Sequence, residues 1–207
     1  MKVLMINGSP NAKGCTWRAL EEMRRVFETE GVEAEMIQVG HLQLHGCQCC
    51  HYCGKAGKCV FDDVVNEVAR KLETADGLVL GSPVYYGSAN GTLTAFADRL
   101  FYSCSTDLRM KVGASVVSAR RGGNTATFDM LNKYFTLSQM PLASSCYWNQ
   151  VHGFSAEDVE KDAEGLQTMR VLARNMVFLM RSIRLGKEQI GLPENERGAF
   201  TSFCDGK

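Results

Sequence analysis

KVLMINGSPNAKGCT, residues 2–16, decides how the rest of the chain is read. Its first part, Lys2–Ile6, is the short apolar run of a strand buried on both faces, and Asn7–Gly14 is a loop of small residues feeding a helix that begins near Thr16. A loop of this kind, between the end of a buried strand and the start of a helix, aims free backbone N–H groups and a helix N-terminus at one point. That point suits a phosphate. Ser9 and Thr16 add hydroxyl donors, and Gly8 and Gly14 let the backbone approach a ligand without a Cβ in the way. The spacing is neither G-x-G-x-x-G nor G-x-x-x-x-G-K-[ST], which disfavours a dinucleotide fingerprint and an NTPase P-loop. Two readings stand: the phosphate of a mononucleotide such as FMN, or an ordinary polar turn at the edge where α/β sheets bind ligands.

Beyond this stretch, strand and helix patterns alternate. Ala19, Leu20, Met23, Val26 and Phe27 recur at helical spacing over about 16–29, and Glu33–Val39 reads as a second strand. Residues 40–61 fit neither period, and a structureless loop of that length in a compact domain calls for a function or an ordering ligand. Asp62 and Asp63 offer an N-cap and a first-turn carboxylate to a helix with Val64, Val65, Val68 and Leu72 on its face. Gly77–Leu80 is the third strand, Ser82–Gly91 a second loop, and Leu93, Phe96, Ala97, Leu100 and Phe101 mark the next helix. Val112–Val117 reads as strand four, Ser118–Asn124 as a third loop, Thr127–Leu137 as a helix and Leu142–Tyr147 as strand five. Ser155 with Asp158 makes a capping-box-like start to a long helix, along which Leu166, Met169, Leu172, Met176, Met180 and Ile183 recur as core or dimer surface. From Gly186 onward the pattern is that of an irregular tail, residues 186–207. Five alternations in one domain, 1–207, predict a three-layer α/β sandwich. Its parallel sheet has five strands in the order 2-1-3-4-5 with helices on both faces, so the loops after strands one and three flank the switch point.

The second loop, SPVYYGSANG (residues 82–91), places two aromatics and two glycines where a planar ring can lie. Pro83 sets the chain direction, and Val84, Tyr85, Tyr86 and Gly87 can cover one face of a flavin; the plainer alternative is a pair of interface tyrosines. Cys47, Cys50, Cys53 and Cys59 follow the spacing C-x2-C-x2-C-x5-C, with Cys49 and His51 interleaved. Such short gaps let four thiolates converge on one centre, and three readings stay open: a [4Fe–4S] cluster, zinc, or metal-free thiols acting as small buried side chains. Cys15 opens the first helix, either as a thiol activated by the macrodipole or merely through its backbone N–H. Arg120 and Arg121 suit a flavin's pyrimidine edge, a pyridine nucleotide's phosphates or a solvated face. His152, beside Trp148 and Asn149, falls after strand five on the ligand side, and Asp98 with Arg99 reads as a helix-end ion pair.

Composition narrows the classes further. Of 207 residues 45% are hydrophobic, enough for one substantial core. Lys and Arg number 23 and Asp and Glu 23, which offers no electrostatic case for nucleic acid or an anionic membrane. No apolar run reaches the ~20 residues of a membrane span, and no cationic leader precedes the first strand, so a cytoplasmic setting is expected. Five of the nine cysteines lie between Cys47 and Cys59, clustering that argues for metal or redox chemistry over a disulfide framework.

GSPNAKGCT, GCQCCHYCGKAGKCVFDD and SPVYYGSANGTLTAFADR, in this order and spacing, resemble the NADPH-dependent FMN reductase and iron–sulfur flavoprotein branch of the flavodoxin-like superfamily. The match covers about the first 125 residues well and the rest loosely. The resemblance implies that Ser9, Gly14, Cys15 and Thr16 bind the FMN phosphate and that Pro83–Gly87 line the isoalloxazine; Pro10 and Arg120 are expected among the cofactor-binding residues beside them. It implies a homodimer or homotetramer with small-molecule electron donor and acceptor. NAD(P)H would be the donor, and a quinone, a flavin or another acceptor would receive the electrons. In the alternative, FMN and a [4Fe–4S] cluster on the four cysteines relay single electrons. In either case no side-chain acid or base need be catalytic, because the flavin N5 is the reactive centre. The chain departs from the family pattern at Cys15, where Asn is usual, and at Thr94, often Lys.

Overall fold

The structure, a computed structural model, describes residues 1–196 together with Ala199 and Thr201. Five parallel strands form its centre: β1 (Lys2–Asn7), β2 (Glu33–Gln38), β3 (Gly77–Tyr85), β5 (Val112–Ala119) and β6 (Gln150–His152), in the spatial order β2-β1-β3-β5-β6. Counted along the chain, that is the expected order 2-1-3-4-5. A sixth strand, β4 (Ser88–Ala89), pairs antiparallel with the end of β3.

Side chains alternate across the sheet, as a period of two requires. Val3 and Met5 of β1, Val79 of β3, and Val112, Ala114 and Val116 of β5 face one core with α1 (Cys15–Thr29) and α7 (Ala163–Ile190). Leu4, Ile6, Leu78, Leu80 and Val117 face the other with α3 (Val64–Leu72), α4 (Gly91–Ser103) and α5 (Asn124–Leu137). Both faces are covered, which is why these strands are apolar throughout. Gly113 is required where Phe135 lies on the sheet: a Cβ there would stand 2.5 Å from the ring. The methionine stripe of α7 is core, with Met169, Met176 and Met180 buried.

Several boundaries differ from those expected. The Leu142–Tyr147 run is not the fifth strand; Leu142 makes one isolated bridge to Gly113, and the chain rejoins β5 only at β6. Pro141 begins that excursion, its carbonyl accepting from Gly113 N at 2.9 Å. The capping box at Ser155 and Asp158 is real, but it starts the short α6 (Ala156–Val159); the long α7 is capped by Asp162, which accepts from Gly165 N. α7 also runs on to Ile190, so the irregular tail begins at Gly191 rather than Gly186, and Gly198 lies outside the described residues. The cysteine-rich segment contains one short helix, α2 (Cys53–Ala56). Among the described residues no helix is long and apolar enough to cross a membrane.

Candidate functional site

β1 and β3 end side by side, and the loops that follow them are cross-tied by buried amides. Asn7 accepts from Ser9 N at 3.0 Å and donates to Gln38 Oε1 at 2.6 Å, while Gln38 Nε2 donates to the Ser9 carbonyl. Asn90 Nδ2 donates to Gly8 O at 2.6 Å, and its backbone N–H to Ser82 Oγ at 3.0 Å. Gly40 closes the same knot: a Cβ there would stand 2.3 Å from Gly8 O and from the Ser9 backbone. The shape of the first loop is therefore set by Asn7, Gln38, Gly40 and Asn90, none of which the sequence reading singled out.

The helix that this loop feeds is open at its N-terminus. α3, α4, α6 and α7 are each capped by a side chain, from Asp63, Asn90, Ser155 and Asp162, but α1 begins at Gly14 with no side-chain cap and no acid in its first turn. Its first-turn N–H groups are free for an anion. The hydroxyls of Thr16 and Ser118, both buried, stand 2.8 Å apart at this edge, and the Ser9 hydroxyl, buried too, accepts from Asn11 N at 3.1 Å. Pro10 is exposed at the loop's outer side. This donor set fits the phosphate of a mononucleotide. Cys15 is half-buried against the core, and burial raises its thiol pKa, the opposite of an activated nucleophile.

The second loop is a hairpin rather than an open loop. Pro83, Val84 and Tyr85 continue β3, Tyr85 pairs with Ser88, and Tyr86 and Gly87 turn with φ of 52° and 73°. Two successive left-handed residues make a type I′ turn, the one that suits the twist of paired strands. Both tyrosines are exposed and available to stack on a planar ring. α5 presses its N-terminus on this hairpin: Gly123, at φ 90°, lies so close that a Cβ would stand 2.8 Å from Val84 and 2.9 Å from Gly87. α5 too lacks a side-chain cap, and its first residue, Asn124, is buried with Nδ2 unpartnered. A buried amide donor without a partner, beside a hairpin of exposed aromatics, is what a ligand carbonyl would satisfy. Arg120 and Arg121 are exposed just past β5. His152 lies within β6 rather than after it, its backbone N–H donating to Asp162 Oδ2 at 2.6 Å.

The cysteines form a second locus. Cys47, Cys50, Cys53 and Cys59 line one cavity with Cys49, His51, Arg99 and Ser103. All are free thiols, and among the described residues no three Cys, His, Asp or Glu side chains stand close enough to hold a metal ion. Cys49 and His51 both have left-handed backbone, so the Cys47–Cys53 stretch doubles back tightly. Cys59 is fixed from three sides: its N–H donates to Asn66 Oδ1 at 2.9 Å, its carbonyl accepts from Asn66 Nδ2 at 3.0 Å, and its sulfur accepts from Arg99 Nε at 3.2 Å. Arg99 is 1% exposed and pairs with both oxygens of Asp63, at 2.8 and 3.0 Å, not with its sequence neighbour Asp98. Asp98 instead accepts from Tyr134 at 2.5 Å, which together with burial raises the tyrosine's pKa. The donor set, soft thiols with one buried cation and no carboxylate on the lining, suits an iron–sulfur centre.

The family model described as NADPH-dependent FMN reductase matches residues 1–154. The chain belongs to the NADPH-dependent FMN reductase family. Within it, the chain is 32% identical over 192 residues to an iron–sulfur flavoprotein of Methanocaldococcus jannaschii, covering 89% of this chain and 100% of that one. Among solved structures, RosB with a bound 8-demethyl-8-formylriboflavin-5′-phosphate intermediate superposes with a TM-score of 0.70 at 13% identity, covering 91% of this chain and 81% of that one. A flavodoxin from the domain Archaea superposes with a TM-score of 0.56 at 14% identity, covering 89% and 99%. The fold of this FMN reductase family member is thus flavodoxin-like. Its open helix N-termini, hairpin and thiol cavity sit on the scaffold shared with those structures.

Proposed function

We propose that this protein is an FMN-dependent oxidoreductase that takes electrons from NAD(P)H and passes them to a quinone, a flavin or another acceptor, and that its four-cysteine cavity holds a [4Fe–4S] cluster. The observation that carries the flavin assignment is that α5 begins uncapped against the hairpin at the end of β3 with the buried Asn124 Nδ2 unpartnered. α1, after the neighbouring β1, also begins without the side-chain cap that α3, α4, α6 and α7 have. FMN would supply two-electron chemistry with a hydride donor and one-electron chemistry with a cluster.

The chain's own residues bind and orient. Ser9, Gly14, Cys15 and Thr16 would hold the phosphate through the free N–H groups of α1 and the buried hydroxyls, with Pro10 shaping the outer rim. Pro83–Gly87 would carry the ring on the hairpin, and Asn124 Nδ2 would donate to a carbonyl of the pyrimidine edge, with Arg120 at its border. Cys47, Cys50, Cys53 and Cys59 would hold the cluster. No side-chain acid or base is assigned to catalysis. The relative named an iron–sulfur flavoprotein, matched over its whole length, supports the cluster; the family description supports NADPH as donor. Exposed Leu137, Phe154, Phe178 and Leu185 support self-association as a dimer or tetramer, and the eight described cysteines, all unpaired, support a cytoplasmic setting.

Anaerobically purified protein tests this reading. The expected result is a flavin spectrum bleached by NADPH, with a broad iron–sulfur shoulder and about four irons per chain. Colourless protein that refuses added FMN at micromolar concentration sinks the flavin assignment. Bleaching by dithionite but not by NADPH or NADH sinks the donor assignment, in favour of a one-electron carrier between partner proteins.

A further inference from the structure

The thiol cavity has one wall that is not cysteine. α4 contributes Arg99 and Ser103, four residues apart and therefore on one helix face. Arg99 Nε already donates to Cys59 Sγ at 3.2 Å, and its orientation is over-determined. Asp63 takes two of its N–H groups, the carbonyls of His45 and Phe61 accept others at 3.4 Å, and the Phe61 ring lies 4.9 Å from the guanidinium carbon. Ser103 shows the opposite condition: it is 6% exposed and its hydroxyl has no partner. An unpaired hydroxyl buried in the wall of a cysteine-lined cavity is costly unless an acceptor arrives. The acceptor at hand is sulfur. Reduction by one electron adds negative charge to a thiolate-bound cluster, and N–H or O–H donors aimed at its sulfurs stabilise that added charge.

Resting on the cluster assignment above, we propose that α4 supplies two positioning residues, Arg99 and Ser103, whose hydrogen bonds to cluster sulfur hold Cys59 as a ligand and raise the cluster's reduction potential. Asp63 and Asn66 serve the pair from α3, the first by aiming Arg99 and the second by fixing the Cys59 backbone. Among the described residues no side chain hydrogen-bonds Cys47, Cys50 or Cys53, and only Cys53 is held in a helix, so Cys59 is the thiol most firmly placed when iron arrives.

The test is a mediated redox titration of anaerobically reconstituted protein, followed by the electron paramagnetic resonance of the reduced cluster, for the natural sequence, Arg99→Lys and Ser103→Ala. Arg99→Lys keeps the charge and loses the planar donor; its reduced-to-oxidised ratio at a fixed poise is expected to fall about tenfold, ~59 mV for one electron. Ser103→Ala is expected to move the same way by about twofold, while the thermal stability of the iron-free protein holds or rises, since an unpaired buried hydroxyl is removed there. If Arg99→Lys fails to fold, Ser103→Ala carries the titration, and the natural protein labelled with ¹⁵N-arginine must show a ¹⁵N coupling in pulsed resonance of the reduced state. Full iron with unmoved potentials in both variants, or no ¹⁵N coupling, overturns the donor assignment alone. Natural protein that takes up no iron overturns the cluster reading beneath it.

Discussion

Asn7, Gln38 and Asn90 do for the loop between β1 and α1 what no glycine could, by tying its carbonyls and N–H groups into a fixed set of bonds. The buried hydroxyls of Ser9 and Thr16 can therefore be removed with the path of the loop kept, although Asn11 N–H and the Ser118 hydroxyl each lose a partner. Ser9→Ala combined with Thr16→Ala is expected to weaken FMN at least tenfold, the loss of one or two hydrogen bonds to a charged group at ~1.5–3 kcal/mol each, while the apoprotein loses only about 1–3 kcal/mol as Ser118 and Asn11 N–H lose their partners. Fluorescence titration with FMN checks it, and unchanged affinity rejects the phosphate assignment. Gly40→Ala should do the reverse and damage the loop itself, because its Cβ has no room against Gly8 and Ser9. The expected cost is about 2 kcal/mol or more in urea unfolding, with FMN retention falling in parallel. The strand–loop–helix turn that carries Ser9, Gly14 and Thr16 was legible in sequence, because an apolar run followed by small residues before a helix has a local meaning. The amides were not, since Asn7 to Gln38 and Asn90 to Gly8 are contacts between segments far apart in the chain. Arg99 was misread for the same reason: the i,i+1 neighbours Asp98 and Arg99 point to different sides of α4, one toward Tyr134 and the other toward Asp63.

Between elements, the most charged seam joins α1 to the C-terminal helices. Arg18, 4% exposed, pairs with Glu22 at 2.9 Å and with Glu160, and Glu22 also takes Arg170 of α7 at 2.6 Å. Burial pushes the Glu22 carboxyl up, but Arg170 and Arg18 together hold it below its ordinary 4.5. A carboxyl whose pKa is depressed on folding stabilises above its unfolded value and loses that contribution as pH falls through the folded one. Glu22→Gln is therefore expected to cost about 3 kcal/mol at pH 7, since it leaves two arginines underpaired, and the gap to the natural protein should close below pH 4.5. Urea unfolding at pH 7 and pH 3.5 measures both; a gap constant with pH rejects the assignment. Strand and helix patterns gave the element order, because buried strands and amphipathic helices carry their periods locally. The fifth strand was not legible: Leu142–Tyr147 looks like a strand, but its register against β5 is broken after one bridge, and the three-residue β6 is too short to show a period. The capping box at Ser155 was legible as a cap and silent on how long its helix would run.

For the whole molecule, a ligand seated across the ends of β1, β3 and β5 binds only when all three are in place, so it should stabilise the fold globally. FMN at a hundred times its dissociation constant is expected to add about 2.7 kcal/mol, and at ~2–4 °C per kcal/mol the melting midpoint should rise by roughly 5–10 °C. A thermal melt with and without FMN checks this, and the Ser9/Thr16 double variant should need proportionally more flavin for the same rise. The sheet order was readable from sequence because right-handed crossovers leave few alternatives, whereas the cysteine cavity was readable only in part: the spacing brings Cys47, Cys50, Cys53 and Cys59 to one cavity but says nothing of the α4 face that completes it. That cavity belongs to a segment with an architectural freedom of its own. Residues 40–62 leave β2 and return at the Asp63 cap without contributing a strand to the sheet. Doubling the length of such an excursion costs only ~0.6 kcal/mol of closure entropy, so its exposed middle, residues 45–52, can be lengthened while Gly40 at one end and Cys59 and Asp63 at the other stay tied to the scaffold. Descent can therefore exchange the outer part of this thiol-lined attachment for another and leave the sheet and the loops after β1 and β3 as they are.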